Sequence, residues 1–338
     1  MKTLIKTIVR KLLIVLPDKL CQVLTPIFSR IIDSGEIESK LLSRFTDRLS
    51  KNPEGIIRKI VSRRQAMEIK NMIWGGSYFN VAVLNNLLGL VIYALYKGFI
   101  PLIHINEEND NLFSWSWYFK QPLEDYTQGV ALESIRVLDR NSVEFSPQWF
   151  YSQKGEEFSR WRFVYQTFVK LNKETKEYID SESNEVGNLD NVLGILMRGT
   201  DYISIKPQGH PVQPEMEEVL QKVHEVLERN PQYKAVYVAT DDERYINIIR
   251  SELGDEKILS NNRVYYDKNY VQGEVIGTVH FDRENDNYLK GLEYLSSMVL
   301  LSKCDSLIAG NCGGTKFALL YAPTNYRECH VFNKGLYE

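Results

Sequence analysis

A chain of 338 residues is longer than one ordinary core organises and predicts two α/β domains. Its 43% apolar and 25% charged residues have the balance of a globular protein, which excludes a disordered or fibrous chain. The formal net charge of −3 is unevenly spread: residues 1–66 hold 14 Lys/Arg against 6 Asp/Glu, so the remainder is markedly acidic. Basic residues gathered at one end without a recognition motif argue against a nucleic-acid partner.

The opening "MKTLIKTIVRKLLIVLP" places Lys2, Lys6 and Arg10 four apart, with Ile5, Ile8, Val9, Leu12 and Leu16 largely on the opposite face of one helix. Two readings fit: a basic amphipathic helix lying on an anionic membrane, or a helix packed on the body of the protein. The apolar run is short, Pro17 ends it, and no small-residue cleavage site follows, so a signal peptide is not expected. Val81 to Leu95 contains Asn85, Asn86 and Gly89 and predicts a buried helix rather than a membrane span. The expected place is the cytoplasm, against the inner face of the cytoplasmic membrane if the first reading holds. Cys21, Cys304, Cys312 and Cys329 form no C-x-x-C pair and have no histidine at a zinc spacing. Buried free thiols are expected, and neither a structural metal nor a cofactor.

Residues 70–105 predict strand, turn at Gly75-Gly76, a helix from about Phe79 to Lys97, and a strand in "FIPLIHI". Residues 106–165 predict irregular, aromatic-rich chain, and 172–191 a helix end followed by an interdomain linker. Three segments result: a basic, mainly helical region 1–66, an acceptor-side α/β domain 67–190, and a nucleotide-sugar-side α/β domain 191–338.

The second half alternates strand and helix. "VLGILM" (192–197), "KAVYVAT" (234–240) and "DSLIAG" (305–310) predict buried strands. Helices are predicted in 213–231, in "ERYINIIRSEL", in 291–304, and after the Gly-loop "NCGGT". The three strands end in polar clusters: Arg198 with Asp201, Asp241-Asp242, and Asn311/Gly313/Gly314/Thr315. Parallel strands would bring all three to one sheet edge, where α/β sheets bind ligands. A Gly-loop opening a helix suits an anion.

Arg198 either pairs internally with Asp201 or faces that ligand. Asp242 either binds or merely caps the next helix. His210 is a loop residue or a site residue. The spacing is neither a P-loop nor a dinucleotide fingerprint.

"LGILMRGTDY", "VYVATDD" and "LSKCDSLIAGNCGG" are together similar to the three motifs of the GDP-fucose-dependent fucosyltransferases, over roughly residues 190–322. That superfamily joins α1,2-, α1,6- and protein O-fucosyltransferases, and "IWGGSYFNVAVLNNLLGLVIYALYKGFIPLI" resembles the Gly-rich first unit of its bacterial members. The resemblance implies a GT-B-like fold, two Rossmann-like parallel-sheet domains facing a cleft. It also implies an inverting, metal-independent transfer from GDP-fucose. Arg198, Thr200 and Asp201 carry over from the first motif, but Leu196 stands where a His is usual and Gly199 where a second Arg is. Ala239 to Asp242 are intact. The third loop is "NCGGT", and Ser297 replaces an acidic residue, with Glu293 one turn away.

The expected function is transfer of fucose to a glycan of a bacterial surface polysaccharide or its lipid-linked precursor. Arg198 and the backbone N–H groups of 313–315 would stabilise the leaving diphosphate, and Asp201 is a candidate general base. Thr200, Asp241, Asp242, Asn311, Gly313, Gly314 and Thr315 are candidate donor contacts, with Gly75, Gly76, His210 and Glu293 as further candidates. Trp115, Trp117 and Trp149 offer flat faces to an acceptor sugar, or fill a core. A nucleotide- or glycan-binding pseudoenzyme, and a transferase for another nucleotide sugar, are the alternatives.

Overall fold

The computed structural model describes residues 2–70, 78–266 and 275–338. The chain opens with four helices, α1 (Lys2–Val15), α2 (Asp18–Phe28), α3 (Ser34–Lys51) and α4 (Pro53–Val61). They lead into β1 (Gln65–Ile69), α5 (Val81–Tyr96), β2 (Ile100–Ile103), α6 (Glu124–Thr127), β3 (Ser134–Val137), α7 (Glu156–Phe168) and α8 (Lys173–Val186). The second half runs β4 (Val192–Met197), α9 (Thr200–Ser204), α10 (Met216–Arg229), β5 (Ala235–Thr240), α11 (Glu243–Leu253) and β6 (Ile258–Leu259). It closes with α12 (Asp286–Leu301), β7 (Ser306–Gly310), α13 (Gly313–Tyr321) and β8 (Cys329–Phe332).

All strands pair in parallel, in two sheets of order β2-β1-β3 and β6-β5-β4-β7-β8. The expected two-sheet α/β architecture is therefore present. β4 is buried at all six positions and covered on both faces, which explains its unbroken apolar sequence. Leu193, Ile195 and Met197 join α10 and α11 in one core, while Val192 and Leu196 face α12 and α13 in the other. Gly194 lets α12 approach: a Cβ there would lie 2.7 Å from Leu301 Cδ1. The strand order reverses beside β4, so the crevice at its carboxyl end is a topological switch point.

The larger core is continuous from Leu42 to Val331 and ties the two halves together. The Tyr118 hydroxyl donates to the Tyr288 carbonyl at 2.6 Å, and Arg162 Nη2 to the Ala322 carbonyl at 2.8 Å.

Three local expectations are corrected. Residues 172–191 are mainly a helix, because Asn172 caps α8 at Thr175 N and Thr175, Ile179 and Glu182 are buried beneath it. The first strand lies at 65–69, before the segment expected, and α7 and the edge strand β3 stand inside the region expected to be irregular. The turn at Gly75-Gly76 lies outside the described residues.

The N-terminal helix packs on the body of the protein along one side. Val9 and Leu13 are buried with Cys21, Ile37 and Leu41. Arg44 clamps the end of α1, donating to the Leu13 and Leu16 carbonyls at 2.7 Å each, as a cation at a helix C-terminus should. Cys21, Cys304 and Cys312 are buried free thiols and Cys329 is half-buried. Among the described residues no helix is long and apolar enough to cross a membrane.

Candidate active site

β4, β5 and β7 lie side by side, so the clusters at their carboxyl ends converge as the sequence predicted. They wall a cavity of about 260 Å³, closed from the other half by Tyr78 and the first turn of α5. The helix starts of α5 and α13 meet there: a Cβ on Gly313 would lie 3.3 Å from Val81 Cβ. Two helix N-termini give the cavity a positive bias.

Arg198 emerges from β4 onto this wall. Its guanidinium ion-pairs with Asp241, and its Nη2 lies 2.8 Å from Asp201 Oδ1. The sequence offered an internal pair or a ligand, and the structure forms the internal pair and enlarges it with Asp241. Asp241 also accepts from Gly199 N at 3.0 Å and Thr200 Oγ1 at 2.6 Å. These bonds hold the β-branched Thr200 at φ 48°, a left-handed conformation that such residues avoid. Gly199 is required here, since a Cβ would lie 2.7 Å from Asp242 Cβ.

Asp242 points away from Asp241. It caps α11 by accepting from Arg244 N at 3.0 Å, pairs with the Arg244 side chain, and does not line the cavity. Gly313 and Gly314 line it. Thr315 is buried with its hydroxyl on the Gly310 carbonyl at 2.5 Å, and Asn311 donates to the Phe150 carbonyl at 3.1 Å. Glu293 pairs with Arg283 outside the cavity.

Trp149 lines the cavity. Trp115 has no exposed surface and donates to the Lys120 carbonyl at 2.7 Å, so it is a core residue that no sugar can reach. Trp117 packs edge-on against Tyr288, 5.6 Å between centroids, and is not brought to the cavity.

His210 is on the wall, its Nδ1 2.8 Å from the Tyr202 hydroxyl and its ring 6.0 Å from that of Trp149. Burial lowers its pKa. The loop carrying it is pinned by the C-terminal tail, through Tyr337 N to the His210 carbonyl at 2.8 Å.

Tyr78, Tyr202, Tyr266 and Tyr294 also line the cavity, with Arg263, Lys290 and Lys316, and the sequence reading had singled out none of these. Lys316 carried a signal, being a cation in the first turn of an otherwise apolar helix. The tyrosines carried none beyond the count of 20 in the chain.

A family model described as α-(1,6)-fucosyltransferase N- and catalytic domains matches residues 162–310. None of the curated proteins matches the chain in sequence. Among solved structures, the NodZ α-1,6-fucosyltransferase soaked with GDP-fucose aligns at 14% identity over 76% of this chain and 92% of that one, with TM-score 0.46. POFUT1 in complex with GDP-fucose aligns at 11% identity over 79% and 97%, with TM-score 0.45. The fucosyltransferase NodZ from Bradyrhizobium aligns at 12% identity over 76% and 93%, with TM-score 0.45. The family match is a likeness over less than half of the chain; it contains β4, β5 and β7, with the carboxyl ends that carry Arg198 and Asp241, and ends before α13.

Proposed function

We propose that the chain transfers fucose from GDP-fucose, with inversion and without a divalent metal, to a glycan of a bacterial surface polysaccharide or its lipid-linked precursor. The observation that carries this reading is the cavity at the β4/β5/β7 edge, where Arg198, inside the matched family region, and the opening turn of α13, just beyond its end, face one space. Departure of the diphosphate leaves an oxocarbenium-like sugar and a growing anion. Fixed donors aimed at that anion lower the barrier most, and the N–H groups of Gly313, Gly314 and Thr315 have no partner within their own helix.

The acceptor hydroxyl must lose a proton. Asp201 is committed to Arg198 and accepts from Ile276 N at 3.4 Å, so it is a weak candidate for that task. His210 is the better base. If its Nδ1–H donates to the Tyr202 oxygen, its Nε2 carries a lone pair for the acceptor. Trp149 beside it offers a face for the acceptor sugar.

The same reading places the enzyme on an anionic membrane. Leu4, Ile8, Ile14, Val15, Val23 and Ile27 of α1 and α2 are exposed, among the largest concentration of exposed apolar side chains in the described residues. Lys6, Lys11, Lys19 and Arg30 are exposed among them.

Thermal-shift measurements with a panel of nucleotides and nucleotide sugars in EDTA test the donor. GDP and GDP-fucose should stabilise the protein, by about 2.7 kcal/mol at a hundred times Kd. No shift with any guanosine nucleotide, or a shift that needs added metal, would remove this reading.

A further inference from the structure

Four cations line the cavity, Arg198, Arg263, Lys290 and Lys316, and two of them are already answered by carboxylates. Arg198 has two carboxylates, and Lys290 lies 3.2 Å from Asp286 and donates to the Val279 carbonyl at 2.7 Å. Lys316 differs. It is 7% exposed, its ammonium donates to the Pro147 carbonyl at 2.8 Å, and no carboxylate of the described residues lies within ion-pair distance. The ammonium stands over the Trp149 ring, 4.2 Å from the centroid.

A buried ammonium without a counter-ion is costly. Its position makes the cost larger, because the first turn of α13 is the positive end of the helix dipole. A neutral donor would hold the Pro147 carbonyl as well. The arrangement is therefore wasteful for folding and favourable for an incoming anion.

We propose that Lys316, seated on Trp149, is the cation that binds the diphosphate of the ligand. This rests on the reading of the cavity as a nucleotide-sugar site and adds to it the residue that takes the leaving-group charge. With Arg198 neutralised by Asp201 and Asp241, the cations of the cavity without a carboxylate among the described residues are Arg263, which stacks on Tyr265, and Lys316, and of these two Lys316 stands in the helix turn that opens on the cavity.

Burial lowers the Lys316 pKa to about 8, with partial relief from Cys312 and from Glu157 on α7. His210, across Trp149, titrates below its ordinary value and stays neutral in that range. An anion bound at the ammonium would favour its protonated form, so affinity should hold below pH 8 and fall above it.

The test is titration calorimetry of the whole chain with GDP, inorganic pyrophosphate and guanosine. Lys316→Met keeps the stem against Trp149 and removes the charge. GDP and pyrophosphate should each bind roughly tenfold to a hundredfold more weakly to it, the range for one charge-assisted hydrogen bond, while guanosine is unaffected. A parallel series from pH 7 to 9.5 compares the wild type with Lys316→Arg, whose charge does not titrate. The wild type should lose affinity relative to the arginine variant above pH 8, and this comparison decides the matter if Lys316→Met fails to fold. Equal binding of both phosphate ligands to wild type and Lys316→Met, or parallel pH curves, would overturn the assignment while leaving the donor reading intact. Binding of pyrophosphate without GDP would overturn the donor and keep Lys316. Binding of neither ligand would overturn both.

Discussion

Arg198 at the end of β4 is gripped by Asp241 at the end of β5, and the same carboxylate holds the Gly199 amide and the Thr200 hydroxyl. This joint fixes the tight turn after β4 and sets the guanidinium on the cavity wall. Arg198 is thus both a structural partner and a wall residue, so its substitution should be felt twice. Arg198→Ala leaves Asp201 and Asp241, both largely buried, without their cation and should destabilise the fold by roughly 3–5 kcal/mol. Arg198→Lys keeps the charge but loses the planar fork. Its melting temperature should fall only modestly, while turnover falls on the order of a hundredfold or more. Calorimetric melting and a GDP-release assay on one preparation separate the effects. Full turnover in a destabilised Arg198→Lys enzyme would leave Arg198 purely structural.

His210 gives a pH signature. Burial lowers its pKa from the ordinary 6.5, so the neutral form dominates at pH 7. The kcat/KM profile should be flat near neutrality and fall on the acid side, below the usual histidine range. His210→Asn should remove that limb and lower kcat by roughly 10²–10⁴. Tyr202→Phe should cost less, because it orients the ring without carrying the proton. An acid limb unchanged in His210→Asn would send the search for the base elsewhere.

The parts of this architecture that were legible in the sequence are those in which burial is written locally. β4, β5, β7 and the helices after them show as apolar runs or helical spacing, bounded by Gly, Asp or Asn. β3 was invisible because all four of its residues are exposed, which erases alternation. α8 is legible only as a helix end before a linker, because few of its positions are buried. The site was legible as a place but not as a set of pairings. Arg198 and Asp241 are 43 residues apart, and Lys316 meets Pro147 across 169. The adjacent carboxylates of Asp241 and Asp242 divide their roles only once the turn around Gly199 exists.

Lys316 should carry a measurable stability penalty. Its pKa in the folded protein is about 8, against 10.5 for the ordinary side chain. Below pH 8 both folded and unfolded chains hold the proton, and the full cost of burying the charge is present. Between pH 8 and 10.5 the unfolded chain binds more protons, so stability rises with pH. Lys316→Met should therefore be more stable than the wild type at pH 7, by on the order of 3 kcal/mol, with the gap closing as pH rises through that window. Denaturant melts of the two proteins at pH 7 and pH 10 measure the difference. A Lys316→Met protein less stable than wild type at pH 7 would mean that its bond to Pro147 outweighs the buried charge.

The N-terminal helices supply the last prediction. Deleting α1 is a poor test of membrane contact, because Val9 and Leu13 pack against α2 and α3 and Arg44 is bonded to the helix end. Substitutions on the exposed face avoid that difficulty. Leu4 and Ile8 are 65% and 48% exposed, so Leu4→Ser/Ile8→Ser should leave the melting temperature within about a degree, as surface changes do. The wild type should sediment with vesicles of anionic lipid, weakly or not at all with zwitterionic vesicles, and less as salt is raised. At about 1 kcal/mol for each basic residue near the surface, Lys6→Gln/Lys11→Gln should weaken binding roughly thirtyfold. The serine pair should weaken it further by withdrawing apolar area from the lipid. Vesicle binding that survives both pairs of substitutions would take the membrane away from this face.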